Sequence, residues 1–400
     1  MAKLTSRLAP LLAQQRAGDR YRQRRSLDSP QAASIVLDGR ECINFSSNDY
    51  LGLANDPAVV EAFCSAARQY GAGSGASHLV VGHHHIHDEL EVALAEHTGR
   101  DRALLFSSGY MANLGVLNTL LKKGDVLFED KLNHASLIDG GQSSAARLLR
   151  YRHNDLSHLE LLLDKHYPSQ GSSQGALLAV DGVFSMDGDT PPLEKLSRLC
   201  VARDVSLMVD DAHGFGVLGE RGAGCSEYFS LTQNELPILM ATLGKAVGVS
   251  GAFVAGSDEL IEALIQWSRT YIYTTALPPA CAAAALVSLR LIQSQPQRRV
   301  HLQSLIARFR SGAEQIGLSL AKSNTAIQPL IIGGSQRAIC LSQNLFEQGF
   351  YVAAIRPPTV LDGSARLRIT LTAAHSEQQV DQLLSALQQS LSLLEVDDAS

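Results

Sequence analysis

Between Pro57 and Gly256 short apolar runs alternate with stretches of helical pattern, and this alternation restricts the fold of the 400-residue chain more than any other feature. The runs are Ala103–Phe106, Val126–Phe128, Leu148–Tyr151, Leu177–Val180, Leu207–Val209, Ile238–Met240 and Ala252–Ala255. Each is bounded by Gly, Asp, Asn or Ser, as strands buried on both faces tend to be. Strands separated by helices predict a largely parallel sheet in a three-layer α/β domain. Ligands of such sheets bind beyond the carboxyl ends of the strands. The polar residues of this sequence cluster there.

The texture changes after Pro278–Pro279. An Ala-rich helix over Ala280–Ile292 leads into a Gln/Arg-rich helical stretch, then strands at Ile327–Ile332, Val352–Ile355 and Arg366–Leu371 with a helix around Ala338–Gln348. A last helix runs to about Leu394. The expected division is an N-terminal segment (1–55), a large α/β domain (56–290) and a small α+β C-terminal domain (291–400).

Composition narrows the function classes. The net charge of −6 argues against a nucleic-acid binder, which would carry a basic face. Six cysteines, Cys42, Cys64, Cys200, Cys225, Cys281 and Cys340, have no paired spacing and read as reduced cytoplasmic thiols. No apolar stretch is long enough to span a membrane. The N-terminus sets Lys3, Arg7, Arg16, Arg20, Arg22, Arg24 and Arg25 against a single acid, Asp19. That is either a transit-peptide pattern or an amphipathic helix of the mature protein, and the helix is the plainer expectation.

Five motifs sit at predicted strand ends. Lys245 lies in Ala241-Thr-Leu-Gly-Lys-Ala-Val-Gly-Val-Ser-Gly251, among small residues that let a planar cofactor approach. A lysine in a dry pocket has a depressed pKa and becomes nucleophilic, whereas an ordinary lysine is a solvated surface charge. Leu207-Met-Val-Asp-Asp-Ala-His-Gly214 ends a strand in Asp210, with His213 three residues on. A carboxylate there suits a pyridinium nitrogen. Because strand side chains alternate, only one of Asp210 and Asp211 faces the site, unless both are solvated at a plain turn.

Ser107-Ser-Gly-Tyr-Met-Ala-Asn113 opens a helix after a strand, so the amides around Gly109 and Tyr110 suit a phosphate. His134, in Leu132-Asn-His-Ala-Ser136, is placed to stack on a ring or to serve structure alone. Ser185, in Gly182-Val-Phe-Ser-Met-Asp-Gly188, brings a hydroxyl to the same edge.

Two patterns read as decoys. Gly71-Ala-Gly-Ser-Gly-Ala76 has the letters of the dinucleotide fingerprint but follows the helical stretch Val59–Tyr70, not a strand. The run His83-His-His-Ile-His87 looks metal-binding, with His83 and His87 on one helix face. No partner spacing or supporting shell is visible around it, so no metal is expected. The usual hydrolase and P-loop motifs do not occur.

Taken in order, these motifs resemble the α-oxoamine synthases, a pyridoxal 5'-phosphate (PLP) family with the aspartate-aminotransferase fold. The match runs from Asn44-Phe-Ser-Ser-Asn-Asp-Tyr-Leu-Gly-Leu53 through Tyr273-Thr-Thr-Ala-Leu-Pro-Pro279 to Leu371-Thr-Ala-Ala-His375. Leu243 stands where an aromatic is common. The resemblance implies that Lys245 is the Schiff-base lysine and the acid/base at Cα. It implies that Asp210 pairs with the pyridine nitrogen and that His134 stacks on the ring and meets substrate. His213 and Ser185 approach the phenolic oxygen. Gly109, Tyr110 and Thr242 hold the cofactor and its phosphate, and Thr275 reaches the phosphate of the other subunit of a homodimer. Arg22, Thr359 and Arg368 match substrate contacts, with Arg368 the choice for the amino-acid carboxylate.

Within the family, Ala354–Val360 with Ala365–His375 resembles the branch that takes L-alanine and a pimeloyl thioester. A glycine acyltransferase of the same family is the alternative. The carrier of the acyl group, coenzyme A or an acyl carrier protein, stays open, and the Arg-rich arm is either a carrier-docking surface or a solvated face.

Overall fold

The computed structural model describes residues 3–167 and 174–399. Its strands, in chain order, are β1 (Ser34–Leu37), β2 (Arg40–Asn44), β3 (Arg102–Phe106), β4 (Val126–Asp130), β5 (Arg147–Tyr151), β6 (Ala176–Asp181) and β7 (Ser206–Asp210). They continue with β8 (Ile238–Thr242), β9 (Ala252–Gly256), β10 (Ile327–Gly333), β11 (Phe350–Tyr351), β12 (Ala353–Ile355) and β13 (Ala365–Thr370). All seven expected apolar runs are strands of one sheet, ordered β3-β9-β8-β7-β6-β4-β5.

Contacts divide the chain into two units. One comprises residues 49–185 and 189–300 and contains the seven-stranded sheet; the other comprises 1–48, 186–188 and 301–400. The first 48 residues thus group with the C-terminal region, because β2 pairs in parallel with β11, Ile43 opposite Phe350.

Six strands of the large sheet run one way. Only β9 is reversed, antiparallel to both β3 and β8. The cause is length: a parallel crossover needs a dozen or more residues, and the Leu243–Gly251 connection is shorter. β4, β6 and β9 are buried along their whole length, as runs covered by helices on both sides must be. β5 departs from that expectation. It is an edge strand, half-exposed up to Tyr151.

The second unit holds two three-stranded sheets, β1-β2-β11 and β10-β13-β12. β13 is the central strand of its sheet, antiparallel to both neighbours and buried throughout. Among the described residues no helix is long and apolar enough to cross a membrane. The N-terminal helix Leu8–Ala17 does form, but Leu8, Leu11 and Leu12 are exposed and no residue of it is buried.

Candidate active site

Because β3, β4, β6, β7 and β8 run in one direction, their carboxyl ends share one edge of the sheet. That edge carries the phosphate turn, His134, Ser185, Asp210 and Lys245 on five separate connections. Lys245 sits in the tight β8–β9 connection. Leu243 N–H donates to Gly251 O (2.9 Å) and Gly248 N–H to Lys245 O (2.8 Å). Gly248 has φ +75°, and a Cβ there would lie 2.5 Å from the amide nitrogen of Ala54, so only glycine closes this loop. Lys245 Nζ is 2.9 Å from His213 Nε2, and His213 Nδ1 is 2.6 Å from the Tyr50 hydroxyl. A lysine, an imidazole and a phenol therefore form one chain of hydrogen bonds.

The two aspartates at the end of β7 have separate surroundings. Asp210 is buried; its carboxylate accepts from Asn113 Nδ2 (2.7 Å) and from Ala212 N–H (3.0 Å). Asp211 is fully buried against the Cys225 amide, which donates to it at 2.7 Å. Burial pushes the Asp211 carboxyl up to about 7. Asp210 is the one whose charge is felt by His134, so the alternation along β7 points it towards the lysine side.

His134 caps the helix Ala135–Ser143. Its Nδ1 is 2.7 Å from Ser136 Oγ, and its N–H donates to Asp181 at 2.9 Å. Cleft walls that strip water from the ring lower its pKa; Asp210 works against that and Lys245 with it. The residue is nonetheless exposed. Asp181 is buried, which raises its pKa well above the usual carboxylate range, and the nearby Asp210 raises it further. Ser185 follows β6 on the same edge. Beyond it His153 bridges Asp130 (3.0 Å) and Asp189 (2.9 Å). Burial opposes the charge on His153, but the two carboxylates prevail and hold its pKa up at about 10.

The helix Gly109–Leu120 is capped by Ser108, whose hydroxyl accepts from Met111 N–H. The amides of Gly109 and Tyr110 have no intrahelical acceptor at such a start, and the helix dipole favours an anion there. Tyr110 is exposed, and its hydroxyl donates to Asp139. Thr242 Oγ donates to Gly251 O and accepts from Gly244 N–H. Thr275 O accepts from Ser107 Oγ at 3.1 Å, so its main chain is tied to the start of the helix Gly109–Leu120.

A buried carboxylate, an amine, an exposed histidine and a helix start suited to an anion form a donor set that fits PLP. Tyr50, Asn113, Ser136, Asp181 and His153 take part in these contacts and had no role assigned from sequence. Tyr50 and Asn113 do lie inside the motifs, but nothing in spacing says that they touch His213 and Asp210.

In the second unit Arg368 is buried on β13 and donates to Asn48 Oδ1 (3.2 Å) and Thr370 Oγ (3.0 Å). Its neighbour in alternation, Arg366, is committed to Asp187 at 2.6 Å. Arg22 donates to Thr359 Oγ at 3.3 Å. The pair lines a cavity of about 230 Å³ together with Arg20 and Arg356. Arg356 holds the arm there by donating to Asp19 O (2.5 Å).

Gly71–Ala76 does follow a helix, Pro57–Tyr70. The histidine run corrects its expectation: His83 lies ahead of the helix His85–Thr98, not on it, and partners are present. His78 and His83 share a 2.7 Å contact, His83 reaches Asp88 (2.8 Å) and His87 reaches Leu277 O (2.7 Å).

The model of the aminotransferase class I and II family matches residues 40–387. The 8-amino-7-oxononanoate synthase of Hahella chejuensis is 56% identical over 380 residues, covering 95% of each chain. A solved 8-amino-7-oxononanoate synthase from Francisella tularensis is 34% identical, with a TM-score of 0.76 over 88% of this chain and 99% of its own. A serine palmitoyltransferase solved with PLP is 30% identical, with a TM-score of 0.92 over 98% of this chain and 100% of that one. The α/β architecture is that of this group, and the chain belongs to the class I and II aminotransferase family, alongside the 8-amino-7-oxononanoate synthases.

Proposed function

We propose that the chain is an acyltransferase of biotin synthesis that joins L-alanine to a pimeloyl thioester, releasing carbon dioxide and the free thiol and yielding 8-amino-7-oxononanoate. The observation that carries this reading is the meeting of Lys245, His213 and Tyr50 in one hydrogen-bonded chain at the strand ends that also carry Asp210 and His134. The curated relatives of that name support the choice of substrates.

PLP, when bound, supplies a protonated ring that draws off the electron pair left at the Cα of the amino acid. Lys245 would hold it, with Gly109, Tyr110 and Thr242 on the phosphate. Lys245 Nζ takes the proton from Cα of alanine and later returns one to the same carbon. Its contact with His213 gives that amine a neighbour to exchange the proton with, and Tyr50 sets the orientation of the imidazole. Asp210, fixed by Asn113 and Ala212, keeps the proton on the ring nitrogen. His134 would stack against the ring and exclude water from it, and Ser185 would offer its hydroxyl to the ring's oxygen.

Arg368 binds the carboxylate of alanine, since a guanidinium takes both its oxygens. Arg22 and Thr359 bind the acyl donor, whose thiol is coenzyme A or an acyl carrier protein. The active unit is a cytoplasmic homodimer in which Thr275 serves the phosphate of the partner subunit. The large PLP-binding domain is residues 56–290.

Purified protein is expected to show the visible absorption of lysine-bound PLP and to form 8-amino-7-oxononanoate from alanine and a pimeloyl thioester. Glycine with an acetyl thioester is expected to be a poor pair. Preference for that second pair overturns the substrate assignment, and absence of bound PLP overturns the whole reading.

A further inference from the structure

We propose that His78, His83 and His87 form a binding site for one divalent transition-metal ion of the zinc class. The site lies on the π-turn His78–Gly82 and the start of the helix His85–Thr98. Gly82 makes the turn possible: a Cβ there would lie 2.0 Å from Ala76 O. Turns of this kind recur at functional sites.

The geometry is that of a three-histidine site. One ring nitrogen from each residue lies within 4.8 Å of the other two. The ring centres form a triangle with sides of 5.0, 5.1 and 5.3 Å. With metal–nitrogen bonds of about 2.0–2.1 Å, three imidazoles on a tetrahedral ion have ring centres roughly 5 Å apart.

The outer contacts match as well. Metal-bound histidines donate their second N–H to a carboxylate or a backbone carbonyl. His83 Nε2 meets Asp88, and His87 Nε2 meets Leu277 O. That leaves the Nδ1 atoms of His83 and His87 for an ion. His83 Nδ1 now shares a proton with His78 Nδ1, and His87 Nδ1 accepts the His84 N–H at 2.9 Å. Binding replaces both contacts.

His78 is buried, its ring is stacked on Tyr271, and its Nε2 has no partner among the described residues. Burial and neighbouring imidazoles hold His78 down at about 3 and His87 at about 4, so both are neutral and able to ligate at pH 7. Asp88, which meets His83, offsets part of the charge of the ion. His83 is 26% exposed in its side chain and gives the way in. Imidazole ligands suit zinc, copper, nickel and iron.

Cobalt(II) is the probe, added to the chelator-treated full-length protein and followed by its visible ligand-field absorption, with zinc counted by elemental analysis. One ion per chain is expected, with His83→Gln weakening binding at least 10-fold and the exposed neighbour His85→Ala leaving it unchanged. Circular dichroism of His83→Gln checks its folding. Should that variant not fold, the wild-type count decides together with His85→Ala. Binding below 0.2 ion per chain at roughly 100 µM metal, equal binding by His83→Gln, or loss in His85→Ala overturns the site.

Discussion

The strand-end cluster and the histidine triangle are both partly buried polar assemblies of the same unit, yet they handle charge in opposite ways. At the strand ends, groups of opposite charge stand within reach of one another: Asp210 and Lys245 both act on His134, and His153 is held cationic between two carboxylates. At the triangle, desolvation and mutual repulsion hold His78 and His87 neutral, and His78 shares a hydrogen bond with His83. A cluster that keeps charges in a dry place is equipped to move protons. One that discharges its rings presents lone pairs. The same residue type thus serves two chemistries, and the partner decides which.

The contrast breaks most visibly at Lys245. On the proposed roles Lys245→Ala removes both the amine and the acid/base, so turnover should fall by at least roughly 10⁴-fold while the melting temperature and any metal binding at the triangle stay put. Residual turnover near wild type would mean that the strand-end cluster does no proton chemistry. Comparing the two aspartates comes next. Asp210→Asn should cost roughly 10²–10⁴-fold in turnover with little change in stability. Asp211→Asn should keep turnover within about tenfold yet destabilise the fold by about 1–3 kcal/mol, because its carboxyl anchors the Cys225 amide in the core. Steady-state rates and thermal melts of the pair separate the roles; the reverse pattern would exchange them.

The smallest effect is on stability, and it sharpens the electrostatic side. His153 has its folded pKa raised to about 10, above its unfolded value. Its contribution is therefore complete below pH about 6.5 and declines until it vanishes near pH 10. His153→Gln should lower the melting temperature by a few degrees at pH 6 and by nothing measurable at pH 10. A gap independent of pH would show that packing against Phe184 matters and charge does not.

Periodicity and motif order were enough to read the sheet. Runs buried on both faces have no other place to go, and each strand-end motif carries its own turn chemistry. The single reversed strand β9 was not read, although the short Leu243–Gly251 connection implies it. Lys245, Asp210 and His134 were expected at strand ends from their motifs, and they follow or end β8, β7 and β4. Tyr50 and Asn113 could not be named, since their partners lie 163 and 97 residues away in the chain. The histidine triangle was missed for a related reason. His78 lies outside the visible run, and the π-turn that folds it back onto His83 leaves no helical spacing to read.

β9 has one more consequence, for the time the chain spends being made. β3, with its phosphate turn, leaves the ribosome early, but its only neighbour in the sheet, β9, follows about 150 residues later. At roughly 5–20 residues per second that is a wait of roughly 8–30 s. For that interval Ala103–Phe106, fully buried in the finished sheet, stands as an unpaired apolar edge. The nascent chain is most open to aggregation, and most in need of a holdase, between the synthesis of Phe106 and that of Gly256.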